Sequence, residues 1–415
     1  MSAVTVHRPT GALLVEGKRV FPIVLSNPPP VGRRAPSGKW PLAEVAAGGV
    51  SFLRTGRPDW DAEFAADQIA GERAVFDAAA AHGLRCWCWL GSLANLPSQP
   101  GSAREKLLVK VVNGLKGHPG LGVWKGIDEP ANPLRPGRIP AAGLVRAHRK
   151  LRALDPHHPV VVTQAPRGTV AVLTPYRPSF DITGADVYPV SYPPGKHVGG
   201  ANRDLSVVGD VTAKMVRAAG AKPVWTTLQI AWSGMAPTKQ KPGLVPRFPS
   251  LHDERFMAYQ AIVAGARGLV FFGGHMTQVA TPADAKAGWS WTFWETVLRP
   301  LLAELTSSAV APALVAPQAK ARVKANAKDV RLVARREGPF LYVIAVRRGA
   351  ATDEVAFTGL PAGIASGAVL HEWVQEPPPP PIGGGKQVFR TVAVKGGAFR
   401  DWLGPHDARV YRFRP

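Results

Sequence analysis

The chain has 415 residues, which is too long for one ordinary domain and suits a large domain followed by a smaller one. Hydrophobic residues make up 46% of it and charged residues 19%, a globular composition that excludes general disorder. Its apolar runs are too short for a transmembrane helix, so no membrane partner is predicted. The 51 Lys and Arg residues outnumber the 29 Asp and Glu residues, and the formal net charge of +22 raises the question of a nucleic-acid partner.

The amino terminus and the cysteine content bear on the cellular compartment. Residues 1–15 contain no long apolar segment, so no secretory signal or transit peptide is predicted and the default expectation is a cytoplasmic protein. A secreted protein recorded without its signal would show the same pattern. Cys86 and Cys88 are the only cysteines, which excludes a disulfide scaffold, and we expect two buried free thiols.

Short apolar runs alternate with longer helical segments over the first three quarters of the chain. Eight strands are predicted, over residues 20–25, 50–54, 84–90, 122–127, 159–163, 180–187, 223–229 and 268–272. Helices are predicted over residues 63–82, 102–116, 141–154 and 253–264, whereas the fifth crossover is short and broken by prolines. Eight strand–helix units predict a TIM (β/α)8 barrel. No GxGxxG motif follows the first strand, which argues against a dinucleotide-binding fold.

The pattern changes after about residue 306, where short alternating runs without a helical period begin. These runs cover residues 321–325, 330–335, 340–346, 354–357, 368–373, 387–394 and 408–413. They predict a small antiparallel β-sandwich. We therefore expect a catalytic barrel domain over residues 1–305 and a C-terminal β-sandwich domain over residues 306–415. A proline and glycine run over residues 377–385 reads as a loop between two strands.

Acidic residues follow two of the predicted barrel strands, at the end of the barrel where chemistry takes place. The fourth strand ends in Asp128-Glu129-Pro130, and the proline predicts an extended conformation for Glu129. A carboxyl group at this depth could have a raised pKa and act as a general acid, or it could be an exposed acid that caps the next helix. The sixth strand ends at Asp186, followed by Tyr188, which predicts a second carboxylate and an aromatic platform. The alternative is that Asp186 only binds neighbouring backbone.

Other polar residues end the second, seventh and eighth strands. The guanidinium group of Arg54 could donate hydrogen bonds to the acids that end strand four. Gln229 can bind a hydroxyl group but cannot act as a base or nucleophile at neutral pH. His275 could contact a substrate or be structural.

Tryptophan is unusually frequent, with 12 Trp residues against 6 Tyr residues. Sugar rings stack on aromatic faces because their C–H surfaces are apolar. About half of the tryptophans near the strands should belong to the barrel core, Trp225 among them. The residues predicted to contact substrate are Trp89, Trp232, Trp289 and Trp291. Long loops rich in Gly and Pro, over residues 188–205 and 231–251, are expected to shape a cleft.

With these residues, the chain resembles the clan A type of (β/α)8 glycoside hydrolases that carry a C-terminal β-sandwich. In that clan an Asn-Glu pair ends strand four, and Asp128-Glu129-Pro130 looks like a variant of it. The resemblance implies hydrolysis of a poly- or oligosaccharide without a cofactor, with Glu129 as general acid/base. Asp186 or Asp128 would be the second carboxylate, in a retaining or an inverting reaction.

The clan's nucleophile is a glutamate that ends strand seven, where this chain has Gln229. This departure supports an alternative, a non-catalytic carbohydrate-binding or scaffold protein on a degenerate barrel. Other chemistries fit less well. A Schiff-base aldolase needs an inward lysine, for which Lys125 is the only near candidate, and no strand ends in the His-x-His of a metal hydrolase.

The basic residues are spread over helices, loops and the sandwich, and no nucleic-acid recognition motif accompanies them. No nucleic-acid partner is therefore predicted. One group lies in the loops after strands six and seven, namely Lys196, His197, Arg203, Lys239, Lys241 and Arg247. Positive charge at the mouth of a cleft is compatible with an anionic carbohydrate.

Overall fold

The computed structural model describes residues 3–29, 34–134, 137–191, 195, 198, 200–230, 249–272, 282–287, 291–376 and 386–415. None of the helices in these segments is both long enough and apolar enough to cross a membrane.

Eight parallel strands close into a barrel in sequence order, which confirms the predicted (β/α)8 architecture. A three-stranded antiparallel sheet precedes them, formed by β1 (Val4–His7), β2 (Ala12–Val15) and β3 (Lys18–Val20). The barrel strands are β4 (Ile23–Leu25), β5 (Phe52–Gly56), β6 (Arg85–Trp89), β7 (Leu121–Asp128), β8 (Val160–Gln164), β9 (Ile182–Val187), β10 (Val224–Gln229) and β11 (Ala266–Phe272).

The first predicted strand, over residues 20–25, is in fact two strands in different sheets. Strand β3 ends at Val20 and β4 begins at Ile23. Pro22 lies between them and has no N–H to donate, so it cannot continue a ladder in both directions. Its carbonyl accepts from the N–H of Leu269 at 2.9 Å, which starts the closure of the barrel between β4 and β11.

Large apolar side chains fill the interior of the barrel and form a solid floor beneath its carboxyl end. Trp87 and Trp225 meet edge to face with ring centroids 6.4 Å apart, and both are 1% exposed. Phe52 packs against the same Trp225 ring at 6.1 Å. The prediction that Trp225 belongs to the core is confirmed. Because the interior is filled, any ligand must bind above it, among the ends of the strands.

Helices cover the outside of the barrel and connect its strands. They are α1 (Pro41–Ala47), α2 (Ala65–Ala80), α3 (Ala103–Leu115), α4 (Ala141–Leu154), α5 (Val170–Leu173), α6 (Val207–Ala219), α7 (Leu251–Val263), α8 (Pro282–Ala287), α9 (Trp291–Phe293), α10 (Arg299–Thr306) and α11 (Ala311–Val315). The fifth crossover is the short α5 followed by a 3₁₀ segment over Thr174–Ser179, as its prolines predict. A π-helical segment, Trp294–Leu298, joins α9 to α10.

The C-terminal part forms two antiparallel sheets packed around their own core, which confirms the predicted sandwich. Its strands are β12 (Lys324–Ala325), β13 (Val330–Glu337), β14 (Phe340–Arg347), β15 (Asp353–Thr358), β16 (Ser366–Glu376), β17 (Lys386–Ala393), β18 (Ala398–Leu403) and β19 (Ala408–Phe413). Strand β18 is absent from the prediction. Its inward-facing Asp401 interrupts the apolar alternation, and the structure buries that carboxylate against Arg390 and the hydroxyl of Tyr411.

A buried ion pair joins the barrel helices to the sandwich. Arg255 of α7 makes two hydrogen bonds to the carboxylate of Glu304 in α10, at 2.7 and 2.8 Å. The Tyr259 hydroxyl donates to the same carboxylate at 2.7 Å, and Arg255 also donates to the carbonyl of Ala408 in the sandwich. This bidentate arrangement is the strong form of an arginine–carboxylate contact.

We predict that Glu304→Gln lowers the free energy of unfolding by about 3 kcal/mol, because it leaves the mostly buried Arg255 without a counter-charge. The matched control is Glu354→Gln, whose exposed pair with Arg400 should contribute at most about 1 kcal/mol. Urea unfolding of both variants measures the difference. Equal losses in the two variants would contradict the special role of the Arg255 pair.

Candidate active site

A cavity of about 240 Å³ opens at the carboxyl ends of the barrel strands, the end that carries catalysis in this fold. Seven of the eight strands contribute to it, and the residue directly after the remaining strand, β4, contributes as well. Its lining residues are Ser26, Arg54, Trp87, Trp89, Lys125, Asp128, Thr163, Asp186, Thr227, Val270 and Phe272. Charged, hydroxyl and aromatic side chains therefore meet in one small space.

A β-bulge in β7 brings Lys125 and Asp128 into this cavity together. Lys125 pairs with Val161 of β8, but Asp128 pairs with Thr163, so β7 holds one extra residue between them. Residues three apart in a regular strand face opposite sides, and the extra residue turns both inward. At Gly126, within the bulge, a Cβ would lie 2.9 Å from the side chain of Val162, so glycine permits the close approach.

The inward turn creates an ion pair at the floor of the cavity. Lys125 Nζ lies 2.5 Å from Asp128 Oδ1. The Lys125 side chain is almost fully buried, and its ammonium group lies 5.4 and 4.8 Å from the ring centroids of Trp87 and Trp89. The pair stabilises Asp128 as a carboxylate, and the ring faces stabilise the ammonium group.

Asp186 is the second carboxyl group of the cavity, and its protonation state differs from that of Asp128. It ends β9 next to Thr227 of β10. Burial, together with the negative charges of Asp128 and Glu129, raises its pKa to about 8, although Lys125 and a hydrogen bond with Tyr188 act in the opposite direction. At neutral pH Asp186 therefore holds a proton while its ion-paired neighbour Asp128 is a carboxylate.

Tyr188 lies behind Asp186 instead of forming an exposed platform. Its side chain is 2% exposed, and its ring stacks on Phe272 with centroids 5.7 Å apart. Burial and the negative charge of Asp186 raise the pKa of Tyr188 well above its ordinary value, so the phenol is neutral. Phe272 is the ring of this stack that lines the cavity.

Glu129 adopts a different conformation from the one predicted. The expected extended backbone is wrong, because Glu129 has a φ of 46° in the left-handed region. Hydrogen bonds stabilise this turn: its N–H donates to Thr163 at 2.8 Å, and its carbonyl accepts from the N–H of Asn132 at 3.1 Å. The Asn132 amide also donates to the Glu129 carboxylate at 2.8 Å. Glu129 is not among the residues that line the cavity.

Gln229 holds a loop in place. Its side chain is fully buried, its Oε1 accepts from the N–H of Val190 at 2.9 Å, and its Nε2 donates to the carbonyl of Val190 at 2.6 Å. In this arrangement the amide does not reach the cavity. Thr227, two residues earlier in β10, is the residue of that strand that lines it.

The remaining predicted contacts divide into three groups. Arg54 and Trp89 line the cavity. Trp291 begins α9 and packs, half-buried, against the barrel core. Trp232, His275 and Trp289 lie outside the described residues, as do Lys196, His197, Lys239, Lys241 and Arg247. Cys86 and Cys88 are buried free thiols, as predicted.

Several lining residues were not predicted as site residues, namely Ser26, Trp87, Lys125, Thr163, Thr227, Val270 and Phe272. Most lie within two or three residues of the end of a barrel strand. The sequence signal that could have found them is the alternation of side chains along a strand: counting back in steps of two from the carboxyl end selects residues on one face. That count would have added Thr227, which shares a strand face with Gln229, but the bulge in β7 would have defeated it for Lys125.

A second cavity, of about 540 Å³, lies at the opposite end of the barrel, between β1 and the segments that lead into β8, β9 and β10. Asp181, just before β9, contributes to it together with Arg152 and Lys222. Burial alone would raise the pKa of Asp181, but hydrogen bonds from His148 and from the N–H of Val160 hold it below its ordinary value. In barrels of this fold, catalysis takes place at the other end, where the strands have their carboxyl ends.

Asp186 should make the stability of the protein depend on pH. The folded protein keeps this proton up to about pH 8, whereas an unfolded chain releases it at about pH 4. Raising the pH through this window lowers the free energy of unfolding, because the unfolded state binds fewer protons than the folded state. The melting temperature of Asp186→Asn relative to the wild type should therefore rise between about pH 5 and pH 8.

Asp181→Asn, the same substitution at the other end of β9, is the control. Because the pKa of Asp181 is lowered, its carboxylate stabilises the fold above about pH 4, and the variant should be less stable than the wild type throughout this range. A pH-independent difference between Asp186→Asn and the wild type would show that Asp186 does not carry the additional proton.

Comparison with known proteins adds evidence on the fold. Neither a protein-family model nor a curated protein sequence matches the chain. Solved structures do match it: a family 5 glycoside hydrolase from Bacteroides vulgatus has a TM-score of 0.59 at 14% identity, over 99% of this chain and 93% of that one. A GH30 endoxylanase from Clostridium papyrosolvens has a TM-score of 0.52 at 11% identity, over 100% of both chains.

A family 51 α-L-arabinofuranosidase from Bifidobacterium longum also has a TM-score of 0.52 at 11% identity, over 100% of this chain and 98% of that one. At such identities the likeness concerns the fold. It extends over the barrel and the sandwich together, since whole chains superpose. The chain thus has the fold of the clan A glycoside hydrolases, as the sequence resemblance implied.

Proposed function

We propose that this protein is a glycoside hydrolase that cleaves O-glycosidic bonds of a poly- or oligosaccharide at the mouth of the barrel. One observation carries the proposal: the cavity holds two aspartates in opposite protonation states. Asp186 has a pKa of about 8, and Asp128 is paired with Lys125. Glycoside hydrolysis needs such a pair, because one group must give a proton while the other attacks or activates water.

The two aspartates would have complementary roles in this reaction. Asp186 donates its proton to the glycosidic oxygen as the bond from that oxygen to the anomeric carbon breaks. Asp128 either attacks the anomeric carbon directly, which retains the configuration, or removes a proton from an attacking water, which inverts it. The anomer that first appears in a proton NMR time course distinguishes the two routes.

Aromatic faces in the cavity support a carbohydrate as the substrate. Trp89 and Phe272 line it, and Thr163 and Thr227 supply hydroxyl groups beside them. A sugar ring combines an apolar face with a rim of hydroxyl groups, which is the combination that this lining can bind.

The sequence resemblance gives the acid/base role to Glu129, and this stays the rival assignment within the same proposed activity. Its support is the position after strand four. The contacts favour Asp186, because the Glu129 carboxylate accepts a hydrogen bond from Asn132 and lies outside the cavity lining.

The second candidate function is a non-catalytic carbohydrate-binding protein on the same barrel. The observation that favours it is the residue at the end of strand seven, where Gln229 is buried and bound to the backbone of Val190. Such a protein would bind glycans saturably without releasing new reducing ends.

A screen of polysaccharides for new reducing ends, followed by kinetics on the best substrate, tests the proposal. Asp186→Asn should lower kcat by about 10²- to 10⁴-fold, the usual contribution of a general acid, and Asp181→Asn should leave kcat within a fewfold of the wild type. In the wild type, kcat/KM should fall above about pH 8, where Asp186 loses its proton.

Glu129→Gln separates the two assignments. If Asp186 is the acid, this variant retains most of the activity. A loss in Glu129→Gln as large as that expected for Asp186→Asn, with Asp186→Asn nearly unaffected, would return the acid role to Glu129. Saturable glycan binding with no product in the whole screen would favour the non-catalytic alternative.

A further inference from the structure

Arg54 is a charged group of the cavity that the proposed reaction does not use. Its guanidinium carbon lies 5.3 Å from the ring centroid of Trp89 and 5.7 Å from that of Phe272, so two aromatic faces hold the group in place. It donates one hydrogen bond, from Nη2 to Asn27 Oδ1 at 2.9 Å. A guanidinium group has five N–H donors.

Arg54 has no carboxylate partner in the part of the chain that the structure describes. Among the described residues, no Asp or Glu oxygen lies within 4.0 Å of its guanidinium group. Among the other arginines held deep in the described structure, Arg255 pairs with Glu304, whereas Arg335 has no carboxylate partner within the described segments and donates to the carbonyl oxygens of Ala313, Leu314 and Ile262. Burial without a counter-charge is costly, and it lowers the pKa of Arg54 against the opposing effect of Asp128, Tyr188 and Asp186.

Among the charged groups of the described cavity lining, Arg54 is the one whose charge is not compensated. Lys125 and Asp128 neutralise each other, and Asp186 carries its proton at neutral pH. The charge of Glu129 acts on Asp186, but the Glu129 carboxylate accepts a hydrogen bond from Asn132 and is not part of the cavity lining. Among the described residues that line this cavity, a ligand therefore meets one positive group, Arg54, that has no carboxylate partner.

We infer that the sugar bound in this cavity carries a carboxylate, as a uronic acid does, and that Arg54 binds this group. The inference rests on the proposed function in one respect, that the cavity binds a sugar. A planar guanidinium group matches a planar carboxylate with two parallel hydrogen bonds, which is the geometry that a lysine cannot reproduce. The rings of Trp89 and Phe272 restrict Arg54 to one orientation, so little freedom is lost on binding.

Paired ligands test the inference by isothermal titration. Glucuronate is compared with glucose, galacturonate with galactose, and mannuronate with mannose, using folded wild-type protein at neutral pH. At least one uronate should bind about 10- to 100-fold more tightly than its neutral partner, the range that hydrogen bonds to a charged group contribute. Arg54→Met should remove this preference, and Arg54→Lys should recover only part of it.

Arg57→Met is the matched control, because it removes the same charge three residues along the chain from an exposed side chain that does not line the cavity. It should leave the preference for the uronate intact. Equal losses in Arg57→Met and Arg54→Met would overturn the inference, since they would reduce it to general attraction between charges. Stronger binding of the neutral sugars, or no detectable binding of any member of the three pairs, would overturn it as well.

The failure of this inference can be told apart from the failure of the proposed function. Hydrolysis of neutral glycosides alone by the wild type would contradict a uronate substrate and leave a glycoside hydrolase. Binding of a uronate that depends on Arg54, without hydrolysis of any uronoside, would support the inference and contradict the hydrolase.

Discussion

The ion pair between Lys125 and Asp128 is the interaction on which the arrangement of the barrel mouth depends. One extra residue in β7 turns both side chains inward, and the ammonium group then lies against the rings of Trp87 and Trp89. The pair keeps a carboxylate beside Asp186, and that negative charge helps Asp186 to retain its proton. Either partner alone would be a single charge in a largely buried place, which is costly.

Asp128 and Asp186 have the same intrinsic acidity, but their protonation states differ because their surroundings differ. Asp128 has a cation at 2.5 Å, whereas Asp186 has burial and two negative neighbours, so one is charged and the other neutral at the same pH. Among the described residues that line the cavity, Arg54 is left as the positive group without a carboxylate partner. The protonation of Asp186 and the proposed affinity for a carboxylate are thus consequences of one distribution of charge.

The rest of the fold keeps these groups in position. The filled interior around Trp225 gives the cavity a rigid floor, and Gln229 fixes the segment after β9 through two hydrogen bonds to Val190. On the outside, the pair between Arg255 and Glu304 binds two barrel helices to each other and, through Ala408, to the sandwich. Small displacements of strand ends would change the distances among the charged groups, so this packing matters for the site as well as for stability.

The sequence by itself determined the order of the barrel strands, the sandwich and the acids after strands four and six, because strand patterns are local. It missed β18, where an inward Asp401 hides the alternation, and it gave Glu129 the wrong backbone, because the turn depends on Thr163 and Asn132. Only the tertiary structure decided that Lys125 meets Asp128, that Gln229 binds backbone, and that Asp186 keeps its proton. Register, burial and the distance between charges are set by neighbours that lie far apart in the chain, and no local pattern contains them.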